Sequence, residues 1–281
     1  MKNLKGKVAA ITGAGSGIGQ ALAVELAKHG CHVAISDINE SGLQETEQQA
    51  KSYGVEVHSS LLDVASKDAV YEWADKVANE MGGVNLVFNN AGVSLSETIE
   101  SMSYENFEWL MNINFWGVVY GTKAFLPHLK ASGEGHVVNI SSVFGMIGVP
   151  SQAAYNAAKF AVKGFTECLR EEMELDEGNV KVTCVHPGGI KTNIMRSSRL
   201  GNVGKAGTSD KDRAVKMFDR AARTTPEQAA KVIVDGVKKN KPRVLIGNDA
   251  RMIDAMQRLL PTGYQDILVW GTKRNYKKHN G

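Results

Sequence analysis

The sequence predicts an α/β fold: a single-domain, doubly wound parallel sheet of about seven strands with helices on both faces. Three observations carry this prediction. A short apolar run over residues 8–12 ends in a glycine-rich turn and passes at once into a helical period (Ala21, Leu22, Val24, Glu25, Leu26). Beyond it, apolar runs and helical patterns alternate, as parallel strands joined by right-handed crossovers require. The 281 residues, 43% hydrophobic and 22% charged, suffice for one large core.

The turn after the first strand reads Gly13-Ala14-Gly15-Ser16-Gly17-Ile18-Gly19. Glycines let a loop turn tightly and let backbone N–H groups approach a pyrophosphate, while the N-terminus of the next helix adds partial positive charge. Gly13, Gly17 and Gly19 give G-x-x-x-G-x-G rather than G-x-G-x-x-G, but the strand-to-helix context is the one a dinucleotide fingerprint needs. The second strand, residues 32–37, ends on Asp37. A carboxylate there can accept hydrogen bonds from ribose hydroxyls and repels a 2′-phosphate, and no Arg or Lys stands at Ser16, Ile38 or Asn39. NAD is therefore favoured over NADP. Asp37 equally suits a cap for the helix that starts near Glu40, and both roles stand.

A helix over about 40–53, a strand over 55–61, a helix over 66–81 and a strand over 84–88 follow. Asp63 and Val64 fall just after the third strand, at the carboxyl edge where ligands bind in such sheets. Asn89-Asn90-Ala91-Gly92 follows the fourth and reads either as a turn or as a place where a ligand lies close. A long helix, from 104 or 107 to 129, contains Asn114, which on its own reads as a buried structural amide. Residues 135–141 form the fifth strand and run into Ser142; the sequon at Asn139 lies inside that strand and is discounted.

The next helix, about 153–177, carries Tyr155 and Lys159. Residues four apart share a helix face, and a cation beside a phenol favours the phenolate, so this pair suits proton exchange with an alcohol or carbonyl. A Tyr and a Lys on an ordinary half-exposed face fit the same spacing. The sixth strand, 180–185, ends in an abrupt turn, His186-Pro187-Gly188-Gly189-Ile190-Lys191-Thr192. Residues 193–222 read as a substrate lid or as an ordinary connection, with 201–209 its most mobile part and a helix over 210–222. Pro226 opens a further helix and 243–246 forms the seventh strand. One catalytic domain thus spans 1–262, followed by a tail, 263–281, in which Leu268, Val269 and Trp270 precede Lys273, Arg274, Lys277 and Lys278. A subunit contact, a solvated end and a membrane-surface contact all fit that order, the last not being favoured.

The formal net charge of +3 is too slight to point to nucleic acid. Three cysteines, Cys31, Cys168 and Cys184, have no paired spacing and read as reduced, buried thiols of a cytoplasmic protein. Neither a signal peptide nor an apolar run of spanning length is expected, and no metal-ligand pattern is recognised.

Taken together, residues 12–19, 89–92, Asn114, Ser142, Tyr155, Lys159 and 187–192 resemble the short-chain dehydrogenase/reductase family, closely over 5–192 and loosely over 243–247. Order and spacing carry the resemblance: Ser142 stands thirteen positions before Tyr155 and Lys159 four after it. It implies a Rossmann-type catalytic domain that oxidises CH–OH groups with NAD(P). Tyr155 would be the acid/base, and Lys159 would lower its pKa and bind the nicotinamide ribose. Ser142 would hold the substrate oxygen, and Asn114 would support a water relay. Ile190 and Thr192 would lie at the carboxamide, Asp63 and Val64 at adenine, and Asn90 beside the ribose. It also implies a homodimer or homotetramer through the helices flanking the fifth strand. The substrate side, near 94–95, 144–149 and 194–200, is largely apolar and suggests a hydrophobic secondary alcohol or ketone. Two other readings are a non-catalytic, dinucleotide-binding redox sensor and a membrane-surface dehydrogenase acting on lipid.

Overall fold

The computed structural model describes residues 1–280, and for residues 275 and 277–280 the backbone alone. The side chains of Lys277 and Lys278, the last cations of the basic run, lie outside the described ones.

Seven strands form one parallel sheet: β1 (Val8–Thr12), β2 (His32–Asp37), β3 (Val57–Leu61), β4 (Leu86–Asn89), β6 (Gly135–Ile140), β7 (Val180–Pro187) and β9 (Arg243–Ile246). Their order in space is β3-β2-β1-β4-β6-β7-β9. The order reverses between β1 and β4, which opens a crevice at the carboxyl ends of those two strands. A second, two-stranded parallel ladder joins β5 (Leu95–Ser96) to β8 (Arg199–Leu200). The sequence did not announce it, because a two-residue strand leaves no alternation to read.

Strand residues alternate between two apolar layers. Ala9 and Ile11 of β1 face α1 (Gly17–Lys28) and α8 (Pro226–Lys238), together with Leu22, Leu26 and Ile233. Val8 and Ala10 face the opposite layer, with Trp73 of α3 (Lys67–Glu80) and Phe125 of α5 (Gly117–Ala131), whose rings meet edge to face at 5.2 Å. The remaining helices are α2 (Glu40–Lys51), α4 (Tyr104–Met111), α6 (Ala153–Leu175), α7 (Lys211–Ala221), α9 (Asn248–Leu259) and α10 (Tyr264–Asn280). Neither α9 nor the helical state of the tail was evident from the sequence. Thr225 caps α8 through a reciprocal capping box with Gln228, the start that Pro226 implied.

The long helix expected to end near 129 is interrupted: a π turn over Asn112–Trp116 separates α4 from α5. Such turns insert one residue into the helical ladder and recur at functional sites. Among the described residues, no helix is long and apolar enough to cross a membrane.

Candidate active site

The glycine loop fits a pyrophosphate-bearing ligand because side chains are impossible where the backbone must close. Gly13, at φ +66°, would place a Cβ 2.7 Å from the Ala91 backbone, and a Cβ on Gly19 would overlap the Gly13 carbonyl oxygen. A Cβ on Gly15 would sit 2.9 Å from the Asp37 carboxyl carbon. Ser16 precedes α1 in extended conformation, and its side chain makes no capping bond to the helix. It is exposed, so it and the first N–H groups of α1 stand free for an anion. Ile18 follows in that first turn, and Thr192 approaches Gly17, its methyl 3.1 Å from the position a Cβ would take.

Asp37 Oδ2 accepts from Gly15 N (2.8 Å) and Oδ1 from Asn39 N (2.9 Å). The cap of α2 is Asn39, whose side chain accepts from Gly42 N, so the alternative role of Asp37 as that cap falls away. Each carboxylate oxygen keeps room for a second donor such as a ribose hydroxyl.

Asn90 donates from Nδ2 to the carbonyls of Thr12 (2.9 Å) and Gly13 (3.1 Å), so its amide braces the glycine loop from below. Thr12 completes the brace by accepting from the backbone N–H of Asn90 and Ala91. The role of Thr12 was not foreseen, since a hydroxyl at a strand end carries no distinctive spacing. Asp63 is exposed and caps the turn after β3 through Ala65 N, while Val64 packs against Gly117.

Asn114, fully buried in the π turn, accepts from Val93 N and donates to Val93 O, both at 2.8 Å. Across Gly92 it faces Lys159: a Cβ on that glycine would lie 3.3 Å from Asn114 Oδ1 and 3.7 Å from Lys159 Nζ. Lys159 is buried and donates to the Ile140 carbonyl (2.9 Å), while the Ser141 hydroxyl donates to the Lys159 carbonyl at 2.8 Å. Asn139, the sequon residue, is fully buried and bonds Asn89 and Thr166.

Ser142 follows β6 by two residues in extended conformation, and its Oγ accepts from Phe144 N (3.1 Å). Tyr155 lies one turn before Lys159 on α6, with Lys159 Nζ 5.6 Å from its ring centroid, and Phe144 packs edge-on against that ring. Burial pushes the phenol up to about 12, against which hydrogen bonding by Ser142 pulls it down. Burial also pulls the Lys159 ammonium down to about 8. The direction is opposite to the one expected for Tyr155 from its spacing to Lys159, because burial strips the phenol of water. A further positive charge brought into this cleft would draw both groups downward.

The turn after β7 is fastened by groups the sequence reading missed. Ile190 is buried and pairs with Thr224, and Gly189 N donates to the Asp249 carboxylate of α9 (2.6 Å). Asn156 accepts from Val149 N (3.0 Å) and donates to the carbonyls of Phe144 and Ile147 (both 2.7 Å), pinning the loop that follows Ser142. Its place beside Tyr155 was the only available hint. Of the three thiols, Cys31 and Cys184 are buried and pushed up to about 12, whereas Cys168 is exposed, contrary to expectation, because it lies on the outer face of α6.

The family model for short chain dehydrogenases matches residues 7–202. The chain belongs to that family. "Putative oxidoreductase SadH" of Mycobacterium tuberculosis is 47% identical over 275 residues, covering 98% of each chain. Human "Estradiol 17-beta-dehydrogenase 11" is 30% identical over 270 residues, 95% of this chain and 83% of that one. Among solved structures, a short chain dehydrogenase/reductase of Burkholderia phymatum in complex with NAD aligns with a TM-score of 0.84 at 27% identity, covering 96% of this chain and 97% of that chain. This short chain dehydrogenase is accordingly an oxidoreductase of CH–OH groups that uses a nicotinamide dinucleotide.

Proposed function

We propose that the protein interconverts a secondary alcohol and a ketone on a hydrophobic substrate, with NAD preferred and Tyr155 as the acid/base. The observation that carries this reading is the convergence of the Ser142 and Tyr155 hydroxyls and the buried Lys159 beside the switch-point crevice. When bound, the cofactor supplies or accepts the hydride. The protein's own part is to hold the substrate oxygen and move one proton. With its phenol pushed up to about 12, Tyr155 carries its proton at neutral pH and can donate it to a developing alkoxide, while Ser142 stabilises the same oxygen by a hydrogen bond. Lys159, reached by Asn114 across Gly92, lies where it can bind a ribose and meet a water. The preference for NAD rests on Asp37, whose Oδ2 holds the glycine loop, whose oxygens keep room for a ribose hydroxyl and whose charge disfavours a 2′-phosphate. Ile190 and Thr192 border the carboxamide position, and Asp63 and Val64 the adenine.

Trp116 and Phe160, each more than 40% exposed, lie beside α5 and on α6 and support a homodimer or homotetramer formed through those helices.

The test follows absorbance of the reduced cofactor with NAD or NADP and a panel of secondary alcohols. Tyr155→Phe is expected to lower turnover by about 10²–10⁴-fold; retention of the wild-type rate overturns the assignment. Asp37→Ala is expected to erode the preference for NAD over NADP, and an unchanged ratio removes Asp37 from that role.

A further inference from the structure

A formal net charge of +3 covers an uneven distribution. Residues 191–223 hold nine Lys and Arg against three Asp, and residues 263–281 hold four against one, so the two stretches together carry +9 and the rest of the chain −6. Charge separated in this way marks a surface that meets a polyanion. The fold joins the two stretches: the single 3-10 turn over Gly204–Ala206 packs against α10.

Within α7, Ala214 is buried and Val215 and Phe218 are half-buried. On the opposite side Arg213, Lys216 and Arg220 recur at three- and four-residue steps, all three exposed. Asp219 of the same helix is paired with Arg196, and among the described residues no ion pair neutralises the three outer cations. Met217, 44% exposed, stands beside them. The outer face of α10 repeats the pattern: Ile267, Trp270 and Arg274 follow one another at the same steps, and Lys273 is exposed next to them. Trp270 is 62% exposed, with the Arg274 guanidinium over its ring at 5.4 Å from the centroid.

We propose that the outer faces of α7 and α10 form a docking surface for an anionic lipid bilayer, the cations meeting the headgroups while Trp270, Ile267 and Met217 enter the interfacial layer. Cations spread along two helices suit an extended partner rather than one bound ion, and exposed apolar chains among them need a partner with hydrocarbon close beneath its charge. The phosphates of a nucleic acid would pair with the cations and leave Ile267 and Met217 in water. The order of residues in the tail does not by itself favour a membrane; α7 adds the cations that the tail lacks.

The full chain is co-sedimented with vesicles of phosphatidylcholine alone or with about one-third phosphatidylglycerol, between about 0.05 M and 0.5 M NaCl. Binding to the anionic vesicles is expected to be at least about tenfold tighter and to weaken as salt rises, at about fivefold per cation engaged. The triple variant Arg213→Gln, Lys216→Gln, Arg220→Gln should lose at least about tenfold, and the pair Lys273→Gln, Arg274→Gln serves if that variant unfolds early. Trp270→Ala should lose several-fold at constant charge. Lys51→Gln, Lys67→Gln, Lys76→Gln removes the same charge from α2 and α3 and should bind within about twofold of the wild type. Equal binding to both vesicle types, no binding, or equal loss in the two triple variants overturns the proposal. Tighter binding to duplex DNA or heparin than to anionic vesicles, indifferent to Trp270→Ala, assigns the surface to another polyanion and overturns it as well.

Discussion

The Gly15 N–H finds its acceptor on Asp37, 22 residues away and at the end of the very next strand; the Gly148 N–H finds its acceptor on Tyr264, 116 residues away. Both bonds fix a loop that borders the crevice. The first belongs to a region, β1 through β4, where glycines pack against backbone and Asn90 and Thr12 brace them, so that nothing can shift without moving the main chain. The second belongs to a region assembled from α6, the loop after Ser142 and α10, where side-chain amides and hydroxyls do the fastening. A rigid backbone cradle suits a ligand of constant shape, and side-chain fastening leaves room for substrates to differ.

The largest expected effect breaks the cradle. In Gly19→Ala the new methyl overlaps the Gly13 carbonyl and comes within 2.6 Å of Asn90 Nδ2, and the carbonyl is main chain that cannot yield alone. We expect a loss of about 3 kcal/mol or more in urea unfolding and no measurable NAD binding by calorimetry. Gly54→Ala is the control. Its φ of +73° carries a strain of about 1–2 kcal/mol, but nothing lies within 4 Å of the new methyl and cofactor affinity should hold. Equal loss of NAD binding in both variants would dissolve the distinction between crowding and general destabilisation.

A smaller effect tests the other region. Asn156→Leu keeps the volume and strands the Val149 N–H and the Phe144 and Ile147 carbonyls, at about 3 kcal/mol of stability for the group. The alcohol KM should rise several-fold while NAD affinity stays within about twofold. If NAD affinity falls as far as the alcohol's, the two regions are one mechanical unit and the comparison fails.

The same contrast explains what could be read from the residues alone. The glycine turn, Asp37 and the Tyr155 to Lys159 spacing are local patterns whose geometry follows from one strand or one helical turn, and the structure places them around one crevice. The Asn156 clamp, the Asp249 bond to Gly189 and the docking of Tyr264 each join distant parts of the chain, so their partners are invisible until the chain is folded. Tyr155 shows the limit most clearly. Spacing told which cation stands beside it, but the loss of water that dominates its acidity is a property of everything packed around it.

Acid sharpens the comparison by a third route. His186 is buried behind Ser142, and since a carbonyl can only accept, its Nδ1 carries the proton donated to the Ser142 carbonyl at 3.0 Å. Its Nε2 has no hydrogen-bond partner among the described residues. Burial pulls His186 down to about 4, and the nearby cations Arg243 and Lys163 add to this while Glu167 opposes it; His136 on β6 is likewise pulled by burial to about 3. Both lie below the ordinary value near 6.5, so the unfolded chain binds more protons between those limits. Their contribution to stability is complete above about pH 6.5 and is lost as pH falls through about 4 and 3. At pH 4.5 the loss from His186 amounts to about 2–3 kcal/mol. His186→Asn sets an amide nitrogen where Nδ1 stood, keeps the bond to Ser142 and removes the titration. Urea midpoints at pH 7 should change little, and the drop between pH 7 and pH 4.5 should shrink by about that 2–3 kcal/mol. NAD affinity at pH 7 should not move, because His186 touches the Ser142 side of the crevice and none of the glycine loop. An undiminished drop in the variant would place the acid sensitivity elsewhere, and a fall in NAD affinity would show that the cradle leans on the Ser142 turn.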